Sequence, residues 1–124
     1  MSSMNMCIGV DIIEIGRIRQ AAGRWQDAFL KRIYTQDELD YCGKRYSSLA
    51  ARFAAKEAVI KALGDTSGMG WHDIEIVSAE NDAPQVRLSG GARRRADELG
   101  VGGFSVSLSH CENYAVALTV GNAA

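Results

Sequence analysis

A chain of 124 residues has room for one packed domain and little more. Apolar residues make up 47% and charged residues 23%, with a single proline, which excludes a disordered or low-complexity chain. Fourteen Lys and Arg against fifteen Asp and Glu leave a net charge of −1, which excludes a globally basic nucleic-acid binder. No apolar run approaches the roughly 20 residues needed to span a bilayer. Met1–Asn5 has neither a basic start nor a long apolar stretch, so no secretory signal and a cytoplasmic location are expected. Cys7, Cys42 and Cys111 are odd in number, far apart and without a Cys-x-x-Cys pair. They read as small buried or half-buried thiols rather than a disulfide framework or metal site. With only His72 and His110 present, any metal is expected on carboxylates.

The first predicted element is a strand over Cys7–Ile13, with Ile8, Val10 and Ile12 on one face and Cys7, Gly9, Asp11 and Ile13 on the other. From about Gly16 the pattern turns helical through Ile18, Ala21, Ala22, Trp25, Phe29 and Ile33, with an interruption expected at Gly23. Thr35-Gln36-Asp37-Glu38 is a capping box that starts a second helix. A third runs from about Ser48 to Leu63, rich in strong helix formers and closed by Gly64. Its apolar stripe reads Leu49, Phe53, Ile60 and Leu63, and residues 64–72 form a loop.

Strands follow at Asp73–Val77 and Gln85–Ser89, separated by the turn-rich Glu80-Asn81-Asp82-Ala83-Pro84. A short helix over Gly90–Leu99 carries Arg93, Arg94 and Arg95. Two alternating strands, Phe104–Ser109 and Tyr114–Val120, close the chain around a hairpin at His110-Cys111-Glu112-Asn113. The expected fold class is α+β: one domain over 1–124, an antiparallel sheet packed with a long central helix.

Two carboxylates stand where an apolar residue is the ordinary choice. Asp11 interrupts the first strand, and Glu57 lies one turn from both Phe53 and Ile60 on the long helix. A buried charge is unfavourable by several kcal/mol unless paired or metal-bound. Two hard oxygen ligands from separate elements suit Mg²⁺. The plainer alternative is that Glu57 pairs with Lys61 at i+4 and Asp11 merely ends the strand. Arg52, Lys56 and Lys61 share the helix with Glu57, and Lys61 lies near the Gly64 turn, where a phosphate could bind. His110, preceded by Ser109, sits at the mouth of the last hairpin, where a histidine is either functional or simply surface. The stretch Ile15–Tyr34 holds Arg17, Arg19, Arg24, Lys31 and Arg32 against one acid, Asp27. That local excess points to an acidic partner or to a solvated helix face. Arg93–Arg95 are partly offset by Asp97 and Glu98.

Taken in order, three segments resemble the holo-acyl-carrier-protein synthases, the small bacterial class of 4′-phosphopantetheinyl transferases. They are Ile8-Gly9-Val10-Asp11-Ile12-Ile13-Glu14-Ile15-Gly16-Arg17-Ile18, then Ala51-Arg52-Phe53-Ala54-Ala55-Lys56-Glu57-Ala58-Val59-Ile60-Lys61-Ala62-Leu63-Gly64, then Val106-Ser107-Leu108-Ser109-His110 with Tyr114-Ala115-Val116-Ala117. Phe29–Thr35 leading to Glu38-Leu39 is also similar to the family, and the likeness covers about residues 7–120. The resemblance implies transfer of the phosphopantetheine arm of coenzyme A to a serine of apo-acyl carrier protein, leaving adenosine 3′,5′-bisphosphate. It makes Asp11 and Glu57 the magnesium ligands and, with Lys61, the catalytic group, a water beside Asp11 taking the serine proton. Lys61 and Gly64 would lie at the phosphates, and Arg52, Ser109 and His110 at the adenosine bisphosphate end of coenzyme A. Arg17 and Arg24 would receive the acidic carrier protein. The resemblance also implies a homotrimer with sites at subunit interfaces, and neither nucleic acid nor membrane as partner. One departure is Asp65-Thr66-Ser67-Gly68 after Gly64, where an acid beside phosphates is unfavourable. A silent binder of coenzyme A or carrier protein, and a transferase of broad range, are the competing readings; the metal pair speaks against the first and the short chain against the second.

Overall fold

The computed structural model describes residues 7–78 and 83–124. The expectations for Met1–Asn5 and for Glu80–Asp82 of the predicted turn lie outside them. Strand β1 (Ile8–Glu14) runs directly into helix α1 (Ile15–Ile33), followed by α2 (Gln36–Cys42) and α3 (Tyr46–Leu63). A short 3₁₀ turn at Trp71–Asp73 leads into β2 (Ile74–Ser78) and β3 (Pro84–Leu88), then α4 (Gly90–Glu98), β4 (Val101–His110) and β5 (Tyr114–Ala123). The α+β class and the order of elements agree with the sequence reading, with ends shifted by a few residues.

The strands form two antiparallel sheets, one in the order β1-β5-β4 and one of β2 with β3. The first and last strands of the chain are therefore neighbours, and one row across the sheet reads Asp11, Ala117, Leu108. Helix α3 lies against the face that carries Gly9 and Asp11. Gly9 is what admits it: a Cβ there would fall 1.7 Å from the Ala58 carbonyl oxygen. The predicted stripe needs correction on this point. Leu49 and Leu63 are buried, but Phe53 and Ile60 are only partly so, and the closely packed positions are Ala50, Ala51, Ala54, Ala55 and Ala58. Small side chains let the helix approach on nearly all sides, so α3 is buried almost all round instead of along one stripe.

The opposite face of β1 follows the predicted alternation but points away from the core. Ile8, Val10 and Ile12 are more than half exposed, and Tyr114 and Leu118 beside them on β5 nearly half. Only the glycine-bearing face is flat enough for α3, which leaves the aliphatic face uncovered.

Helix α1 breaks at Gln26 (φ 50°, ψ −136°), not at Gly23. Ile15, Ile18, Ala22 and Ile33 are buried, whereas the kink turns Trp25 outward to 59% exposure. The capping box forms as expected: the Thr35 side chain accepts from the Glu38 amide, and Glu38 accepts from the Thr35 amide at 2.8 Å. Cys7 and Cys42 are buried as expected, while Cys111 is exposed at the hairpin.

Candidate functional site

The β1 edge of α3 gathers the carboxylates singled out above. Asp11 is set into β1, and Lys61 reaches across from the last turn of α3 to donate to its Oδ1 at 2.8 Å and to the Val10 carbonyl at 3.1 Å. The pair is unequal in exposure: Asp11 is largely covered and Lys61 about half open to solvent. Lys61 thus pairs with Asp11 and not, as the plainer sequence alternative had it, with Glu57 one turn earlier. Glu57 forms no ion pair among the described residues. Burial, and then the negative charge of Asp11, push its pKa above the ordinary carboxylate range, with Lys61 opposing them. The hydrogen bond to Asp11 holds Lys61 above its ordinary value.

Two carboxylates brought together with only one half-exposed ammonium make a site short of positive charge. The donor set is oxygen only, and among the described residues no group of three or more His, Cys, Asp and Glu side chains gathers. Such a pair does not suit zinc or a soft metal. It does suit Mg²⁺, which binds through one or two carboxylates and fills its remaining positions with water and phosphate oxygen.

Gly64 closes α3 with φ +80°, its amide donating to the Ile60 carbonyl at 3.0 Å. A helix C-terminus carries partial negative charge, which disfavours an anion nearby. Here that charge is offset twice, by Lys61 in the last turn and by Arg95, whose Nε donates to the Leu63 carbonyl at 3.0 Å. Asp65 is fully exposed; the Ser67 amide donates to it at 2.9 Å and holds its pKa below the ordinary range, so the loop keeps its acid ionised.

Arg52 belongs to a different surface. At roughly 100° per residue, the nine-residue step from Arg52 to Lys61 puts them on opposite sides of α3. Arg52 is buried, donates to Ser78 Oγ at 2.5 Å and lies over the Tyr41 ring at 4.4 Å, and its Nε has no partner among the described residues. It lines an open pocket of about 300 Å³ with Tyr41, Pro84 and Val106–Leu108. His110 ends β4 on the same face of the sheet as Ala115 and Ala117, but β4 is the outer strand opposite β1. Ser109, one residue earlier, falls on the other face, in a row with Val116 and Ile12. Within one chain, then, Asp11, Glu57 and Lys61 come together, while Arg52 and His110 stand across α3 from them and Ser109 faces away.

Arg17 and Arg24 are exposed on α1, as are Arg19, Lys31 and Arg32, and among the described residues none of the five forms an ion pair. Sequence reasoning missed Trp25 here, because helical periodicity placed it inward. It lines an open hollow of about 330 Å³ with Ala28, Phe29 and Arg32, and the Arg24 guanidinium lies 5.1 Å from its ring centroid. It also missed the buried pairing of Lys56 with Glu38 at 2.8 Å. A lysine inside an alanine-rich helix, followed by a glutamate, was the available signal.

Residues 7–119 match the model of the 4′-phosphopantetheinyl transferase superfamily. A holo-[acyl-carrier-protein] synthase of Dehalococcoides mccartyi (strain CBDB1) is 50% identical over 112 residues, covering 90% of this chain and 94% of that protein. Among solved structures, the holo-[acyl-carrier-protein] synthase of Helicobacter pylori in complex with coenzyme A superposes with a TM-score of 0.84 at 33% identity, covering 93% of this chain and 99% of that one. The Bacillus anthracis synthase in complex with CoA (3′,5′-ADP) gives a TM-score of 0.76 at 32% identity over 97% of this chain and 100% of that one.

Proposed function

The chain belongs to the 4′-phosphopantetheinyl transferase superfamily, and from that premise we propose that its reaction is the one its relatives are named for. It transfers the 4′-phosphopantetheine arm of coenzyme A to a serine of apo-acyl carrier protein. The serine hydroxyl would give its proton to a water beside Asp11 as its oxygen forms a bond to the phosphorus that carries the pantetheine; the pyrophosphate bridge breaks, and adenosine 3′,5′-bisphosphate leaves with the bridging oxygen. The observation that carries this reading is the meeting of Asp11, Glu57 and Lys61 at one end of α3, a charge arrangement suited to a metal-bound pyrophosphate.

Asp11 and Glu57 hold Mg²⁺ in this reading, and the ion when bound supplies neutralising charge to the pyrophosphate. Lys61 adds an ammonium at the same phosphates and keeps Asp11 oriented through their hydrogen bond. Gly64, with the helix terminus beside it offset by Arg95, leaves the phosphates room to approach. Arg52 provides a guanidinium with one unused donor for the adenosine bisphosphate end, and His110 reaches that end from the tip of β4, while Ser109, on the other face of the strand, would serve it only in a site shared with a second copy. On α1, Arg17 and Arg24 meet the acidic carrier protein, and Trp25 offers it an apolar anchor beside Arg24 and Arg32.

The active form is a homotrimer with each site completed by a neighbouring copy. Two features support this. Ile8, Val10, Ile12 and Leu118 form an apolar sheet face too exposed for a chain that works alone. The groups expected at the two ends of coenzyme A also lie on opposite sides of α3 within one chain, an arrangement that a second copy supplying one set would complete. No helix among the described residues is long and apolar enough to cross a membrane, and the residues 1–124 act as one domain in the cytoplasm on this reading.

Incubation with coenzyme A, Mg²⁺ and an apo-acyl carrier protein, read by mass spectrometry, tests the reaction directly. A gain of one phosphopantetheine group on the carrier serine is expected; no gain in the presence of all three components would overturn it. Sedimentation tests the assembly: Val10→Asp is expected to shift a trimer toward monomers and to lower transfer.

A further inference from the structure

We infer that Lys56 and Glu38 are positioning residues for the transfer reaction, because their buried ion pair sets the rotation and height of α3 and so the place of Glu57 against Asp11. The inference rests on the reading of Asp11, Glu57 and Lys61 as the reacting site.

Lys56 is fully buried, and an ammonium has three protons to place. Its Nζ donates to Glu38 Oε1 at 2.8 Å, to the Ile74 carbonyl at 2.6 Å and to the Trp71 carbonyl at 3.2 Å. Each partner belongs to a different part of the fold: α2, the start of β2, and the 3₁₀ turn that precedes it. Glu38 is equally occupied. It accepts from the Thr35 amide at 2.8 Å through Oε1 and from the Ile76 amide at 2.9 Å through Oε2. One ion pair therefore joins α2, β2 and α3 at a single point with its donors and acceptors matched.

The rest of the packing of α3 explains why such a point is useful. At its closest the helix meets the large sheet through Ala54, Ala55, Ala58 and the Gly9 backbone, where side-chain relief is small, with Val59 and Leu63 buried in the same core. Close approach of this kind fixes the distance between helix and sheet but resists sliding and turning only weakly, because small side chains interlock poorly. Directed hydrogen bonds from an ammonium to three separate acceptors resist both motions. Phe53 stacked on Trp71, with ring centroids 5.3 Å apart, adds an apolar contact one turn away on the same flank.

Lys56 and Glu57 are adjacent in sequence, so about 100° of rotation and 1.5 Å of rise separate them on one rigid helix. A clamp at Lys56 is transmitted to Glu57 without any intervening side chain. Glu57 must reach a partner carboxylate on a different element, and misplacement of reacting groups by about 1 Å lowers rates on the order of a hundredfold. A buried ion pair is not needed for stability alone, since apolar residues of similar volume often serve as well or better.

The test is the double variant Glu38→Leu with Lys56→Met, which keeps the volume and removes the directed bonds. It is expected to fold with a lowered melting temperature, since the Ile76 and Thr35 amides lose their acceptor, but to melt above either single alanine variant. At a temperature where it is fully folded, kcat is expected to be lowered about tenfold or more, with the KM for coenzyme A little changed. A second readout needs no turnover: with coenzyme A present and carrier protein omitted, Mn²⁺ binding followed by its EPR signal is expected to weaken several-fold. A double variant that folds with wild-type kcat and Mn²⁺ affinity would show the pair to be structural only. Should it fail to fold, Glu38→Gln decides: its side-chain oxygen still accepts from Lys56, but its NH2 then faces the Ile76 amide and breaks the tie to β2. Lowered kcat in that folded variant supports the assignment, and unchanged kcat overturns it. The wild-type protein run alongside separates the two readings. Absent transfer by wild type overturns the proposed reaction and the positioning role with it, whereas normal wild-type transfer leaves the positioning role to be decided by the variants.

Discussion

On the β2 flank of α3, a lysine and a glutamate are sealed from water with each polar atom matched. On the β1 flank, a lysine and two carboxylates are partly open, and one carboxylate is in excess. The ingredients are the same, and the helix is the same, but solvent and stoichiometry differ. Where charges balance and water is excluded, the group behaves as a fastener. Where charge is left over at an accessible edge, the group can take up a cation and an anionic substrate, which is the role proposed for it. Residue identity does not separate the two cases, because Lys56 and Glu57 are neighbours in sequence and face different flanks.

The contrast breaks most visibly on the closed side. Glu38→Ala or Lys56→Ala alone strands a buried charge, and a loss of about 3–5 kcal/mol of stability is expected in urea denaturation. On the open side the effect moves from stability to rate. Asp11→Ala and Glu57→Ala are each expected to lower transfer on the order of a hundredfold, near 2.7 kcal/mol of barrier, with melting close to wild type. A melting temperature that falls as far as that of Lys56→Ala would erase the distinction between the flanks.

Smaller effects sharpen it. Lys61→Ala is expected to lower the rate about tenfold while changing stability by less than about 1 kcal/mol, since its pair with Asp11 is half exposed. In stability, Glu57→Gln gives the smallest change, and in the opposite direction. Burial and the charge of Asp11 raise the Glu57 pKa in the folded chain. A carboxyl raised in this way binds its proton more tightly folded than unfolded, so the metal-free protein loses stability as pH rises from the ordinary carboxylate pKa through the folded one. Above that window the ionised group opposes folding. Metal-free Glu57→Gln is therefore expected to melt slightly higher than wild type at neutral pH, with the difference vanishing in acid. Added Mg²⁺ should raise melting of the wild type and not of the variant.

Much of this was legible in the residues. The capping box at Thr35, the closure of α3 at Gly64 and the alternation of β1, β4 and β5 are local patterns with local causes, and each formed as expected. Asp11 and Glu57 stood out by breaking apolar patterns. What periodicity misjudged were positions decided by a distant neighbour. Trp25 fits an inward stripe, yet the kink at Gln26 turns it out. Phe53 and Ile60 look like the packing face of α3, yet the alanines opposite Gly9 hold it. Lys61 has Glu57 one turn away and pairs instead with Asp11, fifty residues earlier.

Element types, the balance of charge, the basic character of α1 and the identities of the two unusual carboxylates all follow from the order of residues alone. These depend on hydrogen bonding within a turn and on side-chain period, which neighbouring residues set. Only the tertiary structure decided that Lys56 is a fastener and Lys61 a half-exposed arm, that the aliphatic face of β1 stays uncovered, and that Arg52 stands across α3 from the carboxylate pair. Those outcomes turn on which surfaces exclude water when α3 settles on Gly9, and burial is a property of the assembled fold rather than of any residue within it.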